Sequence, residues 1–304
     1  MSRPSNSAPA SAPVAATAGK PAEADPAPIA GSPAVAAKAT QAGSPAVAKT
    51  AKAGLGRRLQ VRVGAESARA DLFSGWRKPR VIATHQVEYR PGIATLPEAV
   101  EAVDALLTAL AAAAGPIKGL RCDVLIGDAW MLYDVVRADL RSLSPRAADD
   151  LVRSALADVA GLPPSDLVIR WQTQTGGQCT LACGVPAAVL PSLQTLLRAH
   201  RLRAGEIVGE FVHEYNANRG RLLSPCAVIS LVRETGAQLA VSTNGVLTAM
   251  SFELGVRAPE ELESRGRSLL RGAGIASDGE TRFFALLPKG WTPPSPWVGL
   301  QMSA

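Results

Sequence analysis

The sequence predicts an α/β protein in which one unit, three strands, a helix and a fourth strand, occurs twice behind a low-complexity tail. Three observations carry this reading. Residues 1–57 are dominated by Ala, Pro, Ser, Gly, Thr and Lys and hold no aromatic residue. The order of hydrophobic patterns over 59–126 returns over 226–287. The chain has 304 residues and is 47% hydrophobic, enough for a sizeable core, yet has no run of 18 uncharged apolar residues.

The tail comes first. Gly31-Ser32-Pro33-Ala34-Val35-Ala36 is repeated as Gly43-Ser44-Pro45-Ala46-Val47-Ala48, a period far below that of a solenoid unit. Such a segment buries too little apolar surface to offset its ordering entropy, which predicts disorder. It begins without an apolar core segment, so no secretory signal is expected. Four cysteines in a chain this long make no disulfide framework.

The first copy opens with alternation at 59–63, the mark of a half-buried strand. Residues 64–67 turn, 68–73 form a second strand and 80–89 a third. Thr95 and Glu98 make a capping pattern for a helix to about residue 114, with Val100, Val103, Leu107 and Leu110 as its buried stripe. Gly115-Pro116 ends it, and 122–126 is the fourth strand.

The middle of the chain predicts a strand at 130–139, a helix at 144–160, and strands at 167–173 and 178–184. A helix at 186–202, a short strand at 206–208 and a helix at 213–222 follow. The second copy begins with 226–232, a continuous apolar strand of the kind buried on both faces. Strands at 237–241 and 246–254 flank a Thr243-Asn244-Gly245 turn. A helix from Pro259 to about residue 271 and a strand at 282–287 complete it.

The formal charge is +6, which raises nucleic acid as a partner. Of the 32 basic and 26 acidic residues, seven and two fall within 1–58. Five of the six net charges therefore belong to the tail region, and the balanced body suits protein recognition rather than specific nucleic-acid binding. The C-terminal segment Trp291-Thr292-Pro293-Pro294-Ser295-Pro296-Trp297 admits two readings: a partner-docking tail using Trp291 and Trp297, or rings laid back on the chain's own body.

Other chemistries fit poorly. Cys179 and Cys183 lie four apart on one expected strand, roughly 13 Å apart, too far for a disulfide and without a partner set for zinc; they read as core thiols. His213-Glu214 lacks a second His at helical spacing and reads as a solvated helix face. Asp128, Asp134 and Asp139 suggest a two-metal nuclease, but such a site needs an acid on the first strand, where Arg62 stands.

Two copies of this order are similar to the two-lobed actin-like fold built from ribonuclease-H-like units. The body resembles, more specifically, the M protein of type IV pilus assembly and the cytoplasmic part of the L protein of type II secretion. The first hairpin, residues 61–70, the stretch 180–186 leading into a Leu-rich helix, and the second hairpin closing over 250–255 carry the resemblance.

Between the low-complexity tail at 1–57 and a Pro/Trp-rich tail at 289–304, the resemblance implies a first lobe with an inserted subdomain at 58–211 and a second, shortened lobe at 212–288. It also implies phosphate loops for ATP and magnesium. Here those loops depart from the pattern. The usual Asp-Ile-Gly place reads Arg62-Val63-Gly64, and the second Asp-x-Gly place reads Ser230-Leu231-Val232. The remnants are Gly64, Glu66 and Ser67 in the first loop and Glu234, Thr235 and Gly236 in the second.

Loss of the metal-handling acids predicts a pseudo-ATPase without cofactor or catalytic residues. The expected role is a cytoplasmic scaffold, peripheral at the inner membrane through a pilus or secretion assembly protein and able to oligomerise. The alternatives are an ATP-binding protein of the actin-like and sugar-kinase superfamily with an active nucleotide site, and a nucleic-acid-binding protein with a basic tail.

Overall fold

A computed structural model describes residues 56–302, apart from 76, 90–93, 234, 257–258, 276–280, 288–291 and 294. The expected tail, except its last two residues, lies outside them, as do Glu234 and Trp291.

The first unit is β1 (Arg58–Val63), β2 (Ser67–Ser74), β3 (Arg80–Glu88), α1 (Leu96–Ala114) and β4 (Arg121–Ile126). Leu59, Val61 and Val63 are buried while Gln60 and Arg62 are half-buried, the period of two that a strand with one core face requires. The Thr95 amide donates to Glu98 Oε2 at 2.8 Å, so the capping pair starts α1 where expected. Ala99, Val103, Leu106, Leu107 and Leu110 are the buried face of that helix.

An insert follows: β5 (Leu132–Val136), α2 (Pro145–Ala160), β6 (Leu167–Thr173) and β7 (Thr180–Pro186). The expected strand over 130–139 is shorter, because Asp128–Trp130 forms a 3-10 turn before it. The three strands pair in the order β5-β7-β6, and α2 buries Ala148, Val152, Leu156 and Ala157 against them. Cys179 lies before β7 rather than in it, and both it and Cys183 are half-buried.

The chain then returns through α3 (Val189–Ala199), β8 (Arg203–Gly209) and α4 (Glu210–Asn218). The helix expected at 213–222 begins earlier, directly after Gly209, and ends in a 3-10 turn at Arg219–Arg221. The reading of a solvated face at His213-Glu214 is corrected here, since Glu214 is fully buried.

The second unit is β9 (Cys226–Arg233), β10 (Gly236–Thr243), β11 (Val246–Leu254), α5 (Pro259–Gly272), β12 (Thr281–Leu287) and β13 (Trp297–Gln301). Its sheet runs β11-β10-β9-β12-β13 and the first runs β3-β2-β1-β4-β8. In both, the first three strands are antiparallel neighbours and the last two join in parallel. Each of these two sheets therefore has five strands. The stretch read as a C-terminal tail supplies the fifth strand of the second.

Trp297 is 5% exposed and packs edge-on against Phe283 with ring centroids 5.1 Å apart. Of the two readings of Trp297 this is the ring laid back on the chain's own body, and a buried ring is not offered for docking.

The insert is tied to the second sheet. Gln174 Nε2 donates to the Leu247 carbonyl and Gln174 Oε1 accepts from the Leu247 amide, each at 2.8 Å. Arg137 donates to the carbonyls of Thr248 and Ala273. A side-chain amide that mimics a backbone pair fixes position as a strand neighbour would.

Candidate functional site

The two hairpins face a common cleft of about 160 Å³. In the first, the Gly64 amide donates to the Ser67 carbonyl at 2.9 Å. The end of β4 comes against this turn: the Gly127 amide donates to the Val63 carbonyl at 2.8 Å. A Cβ at Gly127 would stand 3.0 Å from Gly64 Cα, so glycine is what allows the two loops to touch. In the second hairpin, a Cβ at Gly236 would stand 2.3 Å from the Glu253 carbonyl oxygen, a contact that only glycine avoids.

Gly64, Ser67, Thr235 and Gly236 line the cleft; Glu66 does not. The carbonyl of Glu66 instead accepts from the Tyr89 amide at 2.8 Å, which holds β3 to the turn. Arg62, Asp128, Glu210, Arg233 and Gln238 also line it.

Arg62 and Arg233, together with Glu214, form an ionic group around the buried carboxylate of Glu210. Arg62 Nε lies 2.5 Å from Glu210 Oε1, and its Nη2 lies 3.7 Å from Glu214 Oε1. Arg233 Nη2, from the other lobe, donates to the same Glu210 oxygen. Arg233 Nη1 reaches Met302 Sδ. One carboxylate thus receives two guanidinium groups from two sheets. Glu210 is 1% exposed. Burial alone would raise its pKa, but Arg233 and then Arg62 override this and hold it below the usual carboxylate range. Arg233 is held above its ordinary value by Glu210 against the opposing effect of burial.

Asp128 behaves differently. Its Oδ1 accepts from the Tyr133 hydroxyl at 2.8 Å and from the Phe211 amide at 3.0 Å. It thereby caps α4 from another element. Its Oδ2 is buried and has no hydrogen-bond partner. Burial, and then the charge of Glu210, push its pKa up to about 7. Burial and the neighbouring Asp128 raise Tyr133 well above its usual value. Asp128 is therefore a carboxyl near the midpoint of its titration at neutral pH, beside a carboxylate that stays charged.

The sequence singled out Arg62 as a cation where the fold puts an acid. It did not single out Glu210, Glu214 or Arg233 as its partners. The signal available was the i, i+4 spacing of Glu210 and Glu214 around the apolar Phe211, which places both acids on one helical face.

No family model matches the chain, and no curated relative matches it. Among solved structures, the chain is similar to a Bacteroides thetaiotaomicron protein of unknown function with an actin-like ATPase fold. That match has a TM-score of 0.52 and 8% identity over 77% of this chain and 83% of that one. It is also similar to the cytoplasmic domain of EpsL, an inner-membrane component of the type II secretion system of Vibrio cholerae. There the TM-score is 0.54 and the identity 14%, over 82% of this chain and 90% of that one. A chain of a PilM–PilN type IV pilus biogenesis complex matches at a TM-score of 0.49 and 14% identity, over 71% of this chain and 68% of that one. The fold is thus actin-like, two ribonuclease-H-like sheets with an insert in the first lobe.

Proposed function

We propose that this chain is a non-enzymatic actin-like scaffold which binds an inner-membrane protein of a type II secretion or type IV pilus assembly platform from the cytoplasmic side. The single observation that carries the first half is Glu210, held between Arg62 of one lobe and Arg233 of the other. In an actin-like fold a nucleotide phosphate and its metal ion would bridge the lobes at such a cleft. Here a carboxylate of the chain supplies the anion and two guanidinium groups supply the cations.

Magnesium and ATP do not fit the residues present. The first-strand acid that would hold the metal is Arg62. A ligand pocket is typically about 300–1,000 Å³, and this cleft is about 160 Å³. Asp128, with one unpartnered oxygen, favours the alternative of a surviving nucleotide site, and that reading is the one the first experiment tests.

The second half rests on likeness to the cytoplasmic domain of an inner-membrane secretion component. Among the described residues no helix is long and apolar enough to cross a membrane. Calorimetry of the full chain with magnesium-ATP should give no saturable heat up to about 1 mM, the weak-binding limit near −4 kcal/mol. Saturable micromolar binding would overturn the reading. Cross-linking in the cells that make the protein should capture an integral inner-membrane assembly component; capture of soluble proteins alone would refute the partner.

A further inference from the structure

At the end of the second sheet away from the cleft, β12 and β13 border an open cavity of about 430 Å³, within the usual ligand range of about 300–1,000 Å³. Thr281 at its border pairs with Cys226, the first residue of β9, whereas Arg233 in the cleft is the last. The eight residues of β9 separate the two ends by roughly 23 Å, at about 3.3 Å per residue. The floor of the cavity is apolar. Phe284 pairs with Val298 and Leu286 with Leu300 across β12 and β13, so these side chains share one face. Phe284 and Leu300 are each 4% exposed, but Val298 is 49% exposed. Pro293 stands over Gly299, 3.0 Å from where a Cβ would be, and alternation puts that contact on the opposite face of β13.

Two cations stand at the rim. Arg282 precedes Phe284 by two residues on β12, and Arg221 comes from the 3-10 turn after α4. Both are exposed. Among the described residues neither makes an ion pair. An apolar floor below two unpaired guanidinium groups is complementary to an anion carried on an apolar body. The edge of the sheet decides what that body is. Among the described residues β12 is the only strand beside β13, so the outer amides and carbonyls of β13 are a template for another strand. A peptide pairs with such an edge, whereas a lipid chain leaves its polar groups unused.

We propose that this cavity docks an extended segment of a partner protein in which an acidic residue stands two positions from a large apolar one. Lying along β13, the segment sets its apolar side chain beside Val298, over the floor made by Phe284 and Leu300. Side chains of one face recur every second residue, so the acid comes level with Arg282 and its carboxylate meets Arg282 and Arg221. The inference stands apart from the membrane partner proposed above, because it names the chemistry of a segment and not the protein that carries it. It is also independent of the reading of Glu210, which lies at the other end of the sheet.

Panning random linear peptides displayed on phage against the immobilised full chain tests it. The enriched peptides should share an acid two positions from Leu, Ile, Phe or Trp. The best of them, labelled with fluorescein, should bind the full chain with a dissociation constant below about 1 mM. Arg282→Glu and Arg221→Glu should each weaken it about tenfold, the worth of one charged hydrogen bond. The same peptide with Lys in place of its acid should prefer Arg282→Glu to the native chain, a reversal that misfolding cannot produce. Circular dichroism melts of both Arg variants should match the native chain, since neither side chain has an internal ion pair. No enriched peptide, enriched peptides without the acid, or binding unchanged in both Arg variants would each overturn the proposal. Flotation with phosphatidylglycerol vesicles that depends on Arg221 and Arg282, in place of peptide binding, would overturn it in favour of a lipid headgroup.

Discussion

The two sheets share one strand order and differ in what their central strands face. In β1 burial alternates, with Gln60 and Arg62 turned to the half-open side. In β9 seven of eight residues are buried, and β10 repeats the pattern. The reason is packing on both faces. Val228 and Val232 sit among the residues under α5, whereas Ala227, Ile229 and Leu231 join the core that also holds Val61, Leu107 and Phe211. The same topology thus yields one sheet with a charged inner face and one with an apolar inner face. Arg233 is the exception, at the end of β9, where it meets the first lobe's acid. The cleft is asymmetric because its charges come mainly from one side.

This asymmetry is sharpest at Glu210, where the largest effect is expected. Removing one member of a buried ionic group leaves the others unpaired and costs about 3–5 kcal/mol. Glu210→Ala should therefore lower the urea midpoint strongly, and added formate or acetate should raise it again by taking the vacated place between Arg62 and Arg233. The native chain should not respond to either anion. If the variant unfolds no more easily than the native chain, the carboxylate does not join the lobes.

The next effect compares the central strands themselves. Ile229 is fully buried, and Ile229→Ala should cost about 2–5 kcal/mol by lost transfer energy and a residual cavity. Gln60, half-buried on β1, should cost within about 0.5 kcal/mol as Gln60→Ala. Equal losses at the two positions in denaturant unfolding would remove the distinction between the sheets.

Much of this fold was legible because its signals are local. The alternation at 59–63, the apolar run at 226–232 and the Thr95/Glu98 pair each sit within a few residues, and each marks an element of the structure. β13 was not legible. It is short, follows a Pro-rich segment, and exists only through parallel pairing with β12, which no local pattern encodes. The site divides in the same way. Arg62 stood out because one position broke a pattern. Its partners Glu210 and Arg233 come from α4 and β9, and nothing in the intervening sequence announces that they converge. Glu214 was read as solvated because a charged residue on a short helix usually is. Here a second buried cation nearby reverses that expectation.

A last effect is a change of slope rather than of stability at one pH, and it separates Asp128 from Glu210. The folded-state pKa of Asp128 is raised to about 7, above an unfolded value near 3.9. Below about pH 4 both states hold the proton, and Asp128 contributes no pH dependence. Between about pH 4 and 7 the unfolded state loses its proton first, so stability falls as pH rises; above about 7 both states are charged and the slope vanishes. Glu210 works in the opposite sense, since its pKa is lowered and its contribution is lost on acidification below the ordinary carboxylate range. Asp128→Asn keeps an oxygen for Tyr133 and the Phe211 amide but cannot titrate. Its melting temperature should therefore vary less between pH 5 and pH 8 than that of the native chain, while the acid limb set by Glu210 persists. An unchanged difference would mean that Asp128 is already ionised throughout that range and that the cleft carries one more negative charge than its geometry implies.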